Sequence, residues 1–197
     1  MPEVKIKRSL FLFCSLNSNV ISHKGVCMPI DNCEFSFSEL ATSKLPTHMK
    51  TMTEALKTAY EMSLFSQNGV GKTAVLEKIG LPQDFQGCYV FVEGTTPVYV
   101  GISRSVVQRL IQHVKGKTHF DASLAYRMAA FNYSHDMSRG EAMENEDFLR
   151  CFSEAKQKLA AMKVAFVEIK NDLELYVFEV YCSMQLDTAQ WNSFKTH

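Results

Sequence analysis

Residues Gly87 to His113 read GCYVFVEGTTPVYVGISRSVVQRLIQH, and the rest of the chain is organised around them. Two short apolar runs, Cys88–Val92 and Val98–Ile102, are rich in Val and Tyr, which suit a pleated surface. Between them Glu93-Gly94-Thr95-Thr96-Pro97 is a turn-type cluster, so the pair reads as a β-hairpin with a loop longer than two residues. From Ser105 the period becomes helical: Val106, Leu110 and Val114 share one face, with Val107 and Ile111 beside it. Ser105 is the candidate N-cap and Gly116 the candidate stop. The unit is strand, turn, strand, helix.

Groups with chemical capacity gather on this unit. Tyr89 and Tyr99 stand near the start of each strand, and Arg109 and His113, four apart, share a helix face. Arg104, Arg109, Lys115 and Lys117 supply positive charge, and no acid interrupts Arg104 to His119. Such a segment suits a phosphate-bearing partner. Taken singly, each residue has an ordinary reading: a packing tyrosine, a solvated arginine, a satisfied histidine.

The combination resembles the GIY-YIG nuclease family. Its first signature stands here as Gly87-Cys88-Tyr89 and its second as Tyr99-Val100-Gly101. An Arg follows at Arg109, with His113 one turn later. Cys88 and Val100 replace the middle Ile of each signature. They point to the strand face opposite the tyrosines, where another apolar residue costs little. The later Glu and Asn of the family match Glu179, in Leu175-Tyr176-Val177-Phe178-Glu179, and Asn192, in Trp191-Asn192-Ser193-Phe194. The tail looks like that of small bacterial and phage members, and the resemblance covers roughly Gly87 to His197.

The resemblance implies an α+β fold, a small three-stranded antiparallel sheet flanked by helices. It also implies a DNA endonuclease that hydrolyses a phosphodiester with Mg²⁺ or Mn²⁺. Carboxylate, water and phosphate oxygens suit such hard ions. Glu179 would be the single protein ligand of the metal. Arg109 would hold the scissile phosphate through paired charge-assisted hydrogen bonds. Tyr99 would activate the attacking water, although a free phenol ionises only near pH ~10; Arg109 and the metal would favour its phenolate. Tyr89 would position water or phosphate, His113 would assist through a hydrogen bond, and Asn192 would brace the site. Gly101, Ser103, Arg104, Lys115 and Lys117 complete the expected substrate contacts. Ile102 stands where some relatives carry a Lys, which removes one charge near the nucleophile. The alternative is a catalytically silent member that binds nucleic acid or protein through the same surface.

Working outward, 197 residues allow one domain or one with a sizeable extension. Residues 1–80 read as an N-terminal extension, irregular and then helical, and 81–197 as the nuclease-like domain. Hydrophobic content of 46% and charged content of 21% are ordinary for a globular protein, so a core can form without disulfides. A formal net charge of zero means that any grip on nucleic acid comes from local asymmetry. The six cysteines have no gap of the zinc-site kind and read as thiols of a reducing compartment. Lys5, Lys7 and Arg8 before Leu10-Phe11-Leu12-Phe13 mimic a leader, but the apolar run is short and no small-x-small site follows at once. Met28 is a second candidate start. A cytoplasmic protein without a membrane span is expected.

Met1 to Leu45 reads as irregular. A helix is expected from about Thr51 to Phe65, opened by a Thr51–Glu54 capping-box pattern, and a second near Thr73 to Ile79. The pair would pack beside the sheet, or form a small DNA-contacting helix-turn-helix. Gly69-Val70-Gly71-Lys72-Thr73 imitates the end of a phosphate-binding loop, but Ser66 occupies the position of its first Gly and the preceding run is helical in pattern. It reads as a turn before a helix; nucleotide binding through it is the third functional alternative. Further on come a polar loop over Lys115–Asp121 and an apolar helix over Ala122–Phe131. Ser138–Met162 reads as one amphipathic helix with Gly140 as a candidate break. A third strand over Val164–Ile169 and a helix over Leu173–Leu186 follow. Glu174 and Glu179 lie about 140° apart on that helix and cannot both face one site. The resemblance selects Glu179, with Glu174 as runner-up. A lone site nicks one strand, so paired cuts need a homodimer or two visits. The DNA target is not readable.

Overall fold

A computed structural model of the chain describes residues 29–133 and 136–195. The expectations for the leader-like run, for Met28 and for most of the irregular N-terminus lie outside these residues. The first helical run starts earlier than expected. Ser36 accepts from the Glu39 amide and the Glu39 carboxylate accepts from the Ser36 amide, closing a capping box. Helix α1 (Phe37–Glu39), a π-helical stretch (Leu40–Lys44) and α2 (Leu45–Lys57) then run on without a break. The π stretch lies just ahead of Pro46, which has no N–H to continue the α-helical ladder. Thr51, expected as a cap, is mid-helix and donates to the Thr47 carbonyl.

The helix expected to reach Phe65 ends at Lys57. Its last third is a two-residue strand, β1 (Tyr60–Glu61), and a single turn, α3 (Ser63–Ser66). The Tyr60 ring stacks on Phe166, 5.1 Å between centroids. Burial of Tyr60 therefore satisfies the helical spacing in the sequence without a helix. Helix α4 (Lys72–Lys78) follows a turn in which Gly69 has φ +73°. The element before that turn is α3, a helix and not the strand that a phosphate loop needs.

Strands β2 (Gly87–Glu93) and β3 (Thr96–Ser103) form the hairpin. Its loop is two residues, shorter than expected, because Glu93 pairs with Thr96 and Gly94 takes φ +61°, as a tight hairpin turn requires. One extra residue, Val98, is accommodated between the Phe91–Tyr99 and Val92–Pro97 pairs. Then come α5 (Val106–Lys115), α6 (Ser123–Asn132), α7 (Arg139–Ala142), α8 (Glu146–Ala160), β4 (Lys163–Glu168) and α9 (Asp172–Gln185). The long amphipathic stretch does break near Gly140, after Ala142: Asn145 restarts the helix by accepting from the Phe148 amide.

The sheet is antiparallel with order β1-β4-β2-β3, four strands where three were expected. The additional one is β1, which pairs Tyr60 with Val164 and Glu61 with Lys163. Alternation along β2 divides the core into two layers. Tyr89 and Phe91, with Val164 of β4, face a layer built on Phe65, Leu110, Met128 and Phe148. Cys88, Val90 and Val100, with Ala165 and Val167, face Leu45 and Met52 of α2 and Leu175, Phe178 and Cys182 of α9. The described part of residues 1–80 thus supplies a strand to the sheet and a helix to the second layer. Among the described residues no helix is long and apolar enough to cross a membrane.

Candidate functional site

Tyr89 and Tyr99 project from the same face of neighbouring strands, and Cys88 and Val100 from the other. Tyr89 pairs with Gly101, and its ring lies across that glycine: a Cβ there would sit 2.5 Å from the Tyr89 hydroxyl. The glycine of the second signature is thus the floor on which the tyrosine of the first rests. Tyr89 is sealed, 1% exposed. Its hydroxyl shares a 2.8 Å hydrogen bond with His113 Nε2. His113 is fully buried and, among the described residues, its Nδ1 has no hydrogen-bond partner. Burial, and then the charge of Arg109, hold its pKa well below the usual imidazole range, so the ring is neutral.

Tyr99 sits on β3, which has β2 as its single neighbour, and it is half-buried. Its ring centroid lies 6.3 Å from Tyr89 and 6.2 Å from His113. Burial, followed by the charge of Glu179, raises its pKa above the ordinary phenol value; Arg127 and Arg109 oppose that rise. The expectation that Arg109 makes the phenolate accessible is therefore met only in direction, because desolvation outweighs both guanidinium groups.

Helix α5 presents Arg109. Ser105 occupies its N-cap position without a side-chain capping bond. The cap comes instead from Asp84, whose carboxylate accepts from the amides of Val107 and Gln108 at 2.9 and 3.1 Å. The Arg109 guanidinium donates to the Asp121 carbonyl at 2.8 Å and to Ser123 Oγ at 2.7 Å, which orients it and commits two of its five N–H donors.

Glu179 comes from the opposite layer. Among the described residues its carboxyl has no hydrogen-bond or ion-pair partner, and it borders an apolar groove of about 540 Å³ lined by Phe37, Leu45, Tyr176 and Met184. Burial raises its pKa from 4.5 to about 7. Glu174, the runner-up, is engaged elsewhere: its carboxylate meets His48 Nε2 at 2.9 Å, tying α9 to α2. Asn192 closes the open edge of β3, its Oδ1 accepting from the Val100 amide at 2.9 Å and its Nδ2 donating to the Val100 carbonyl at 2.8 Å.

The remaining expected substrate contacts do not form one cluster. Gly101 is buried beneath Tyr89. Ser103 Oγ accepts from the Ser105 amide. Arg104 pairs with Asp172 at 3.2 Å on an exposed surface. The Lys115 ammonium donates to the carbonyls of Gln67 and Val70, both at 2.6 Å, and so secures the Gly69 turn. Lys117 is exposed. Sequence reasoning missed Asp84 and Arg127. Arg127 is the single charged residue of the largely apolar α6, and that isolation is the signal that could have found it.

Among the described residues no three His, Cys, Asp or Glu side chains group as a metal-binding cluster. A divalent ion here would rest on Glu179, with water and substrate oxygens completing its shell. A half-buried carboxyl without a partner fits that demand. No family model, no curated protein and no solved structure matches the chain.

Proposed function

We propose that the protein is a divalent-metal-dependent DNA endonuclease, the activity that its resemblance to GIY-YIG nucleases implies. The observation supporting this reading is the packing of Tyr99 against Tyr89 and His113, with ring centroids 6.3 and 6.2 Å away, on the strand that Asn192 clamps. Burial and the charge of Glu179 raise the Tyr99 pKa, and Arg127 and Arg109 oppose that rise.

Arg109 holds the scissile phosphate with the N–H groups left free by Asp121 and Ser123. Tyr99, as phenolate, takes the proton of the attacking water. Glu179 would hold Mg²⁺ or Mn²⁺, and such an ion when bound would supply positive charge to offset that gathering on the phosphate. Tyr89, being sealed, supports Tyr99 from behind together with neutral His113. This differs from a direct role on water or phosphate. Asn192 fixes the strand that carries Tyr99. Lys117 and Arg104 serve phosphates further along the DNA. A cytoplasmic setting is proposed with this reading, in keeping with the free thiols of Cys33, Cys88, Cys151 and Cys182. One site nicks one strand; a homodimer would make paired cuts.

One observation favours the silent alternative, a nucleic-acid-binding or interaction module. Without a bound cation the phenol of Tyr99 stays protonated and Glu179 is half-protonated near neutral pH. Incubating the protein with plasmid and Mg²⁺, beside Glu179→Ala and Tyr99→Phe, separates the two readings. Cleavage that disappears in both variants supports the endonuclease. DNA binding without cutting by the parent protein supports the silent module, and equal cutting by all three proteins places the activity elsewhere.

A further inference from the structure

The tail after α9 crosses the sheet edge. Thr188 accepts at its carbonyl from the amides of Trp191 and Asn192, so the two residues lie in one tight turn. Trp191 is buried in the layer that holds Tyr89, with its ring edge-on to Phe131 of α6 at 5.6 Å. Asn192, the next residue, grips both polar groups of Val100, the strand neighbour of Tyr99. The Trp191 carbonyl accepts a hydrogen bond from Arg127 Nη1. Arg127 lies one turn before Phe131 on the same helix, so guanidinium and ring grip Trp191 together. No carboxylate pairs with Arg127 among the described residues, so its charge is not neutralised locally.

We propose that Arg127 is a positioning residue, anchoring the Trp191–Asn192 strap on the outer edge of β3, the strand that carries Tyr99. A side chain kept merely for solubility would need no such carbonyl contact.

Amide exchange at Val100 on the full chain reads the strap without reference to activity. Arg127→Ala should speed exchange of that amide about tenfold or more, Val90 on the adjoining strand should be unchanged, and Arg127→Lys should recover most of the protection. Unchanged Val100 exchange in Arg127→Ala, or equal acceleration at Val100 and Val90, overturns the anchoring role.

Discussion

Replacing Glu179 with Gln should make the fold more stable at alkaline pH and should remove its response to Mg²⁺. The carboxyl has no partner to offset its burial, so the folded state prefers the protonated form and its pKa rises from 4.5 to about 7. Between those values the folded protein keeps a proton that the unfolded chain releases. Stability therefore falls as pH rises through this window and is level above it. At about 1.36 kcal/mol per pH unit the full rise corresponds to ~3.4 kcal/mol. The carboxyl reaches solvent on one side, and screening there reduces the expected effect to roughly 1–2 kcal/mol. Gln has the same shape and no charge, so the variant should gain that amount on its parent between pH 4 and pH 8. Any constant cost of burying the amide cancels in the difference. Urea unfolding followed by fluorescence suits the measurement, since Trp191 is the single tryptophan and is buried. Mg²⁺ at a hundred times its dissociation constant should add about 2.7 kcal/mol to the parent at pH 8 and nothing to the variant. A gap between the two proteins that is the same at pH 4 and pH 8 would refute the desolvation argument. Equal Mg²⁺ stabilisation of both would remove Glu179 as the ligand.

Gly101→Ala should drive a methyl group into the Tyr89 ring, where a Cβ would stand 2.5 Å from the hydroxyl; thermal unfolding should show a loss of roughly 1–3 kcal/mol, with nicking reduced further as Tyr89 is displaced. Asn192→Ala strips both hydrogen bonds from the edge of β3. It should cost roughly 1–3 kcal/mol in urea, and wild-type stability would show that solvent replaces the clamp freely. Asp84→Ala leaves the Val107 and Gln108 amides at the start of α5 without their acceptor. A loss of roughly 1–2 kcal/mol is expected, and none if Ser105 can take over the cap.

What the sequence made legible was local. The alternation of Cys88 to Val92 and the helical spacing of Val106 to Val114 fix which side chains share a face, and the hairpin, α5 and the sidedness of the tyrosines followed. Tyr60 misled because burial against Phe166 imposes the same spacing whether the backbone is helix or strand. Ser105 misled because a cap can be supplied from twenty residues upstream, and the pattern Ser-Val-Val-Gln cannot reveal Asp84. The site was read as a set of residue types in order. Burial then changed what each can do: Tyr89 matches its signature position yet is sealed, while Arg127 matches no signature and bears on Tyr99.

The position of β3 at the end of the sheet bears on how the candidate groups are arranged. Tyr99 and the helix that carries Arg109 pack in one layer of the core, the helix that carries Glu179 packs in the other, and a sheet of paired strands separates the two layers by its own backbone. Groups from both sides can approach one another only where the sheet ends. Among the described residues β3 is that end, with β2 as its sole strand neighbour. An open strand edge is also a template for unwanted pairing. Asn192 answers this: its amide satisfies the exposed N–H and C=O of Val100 as another strand would. Being a single side chain, it does so without a fifth strand, and it is tied back to α6 through the Trp191 contacts with Phe131 and Arg127.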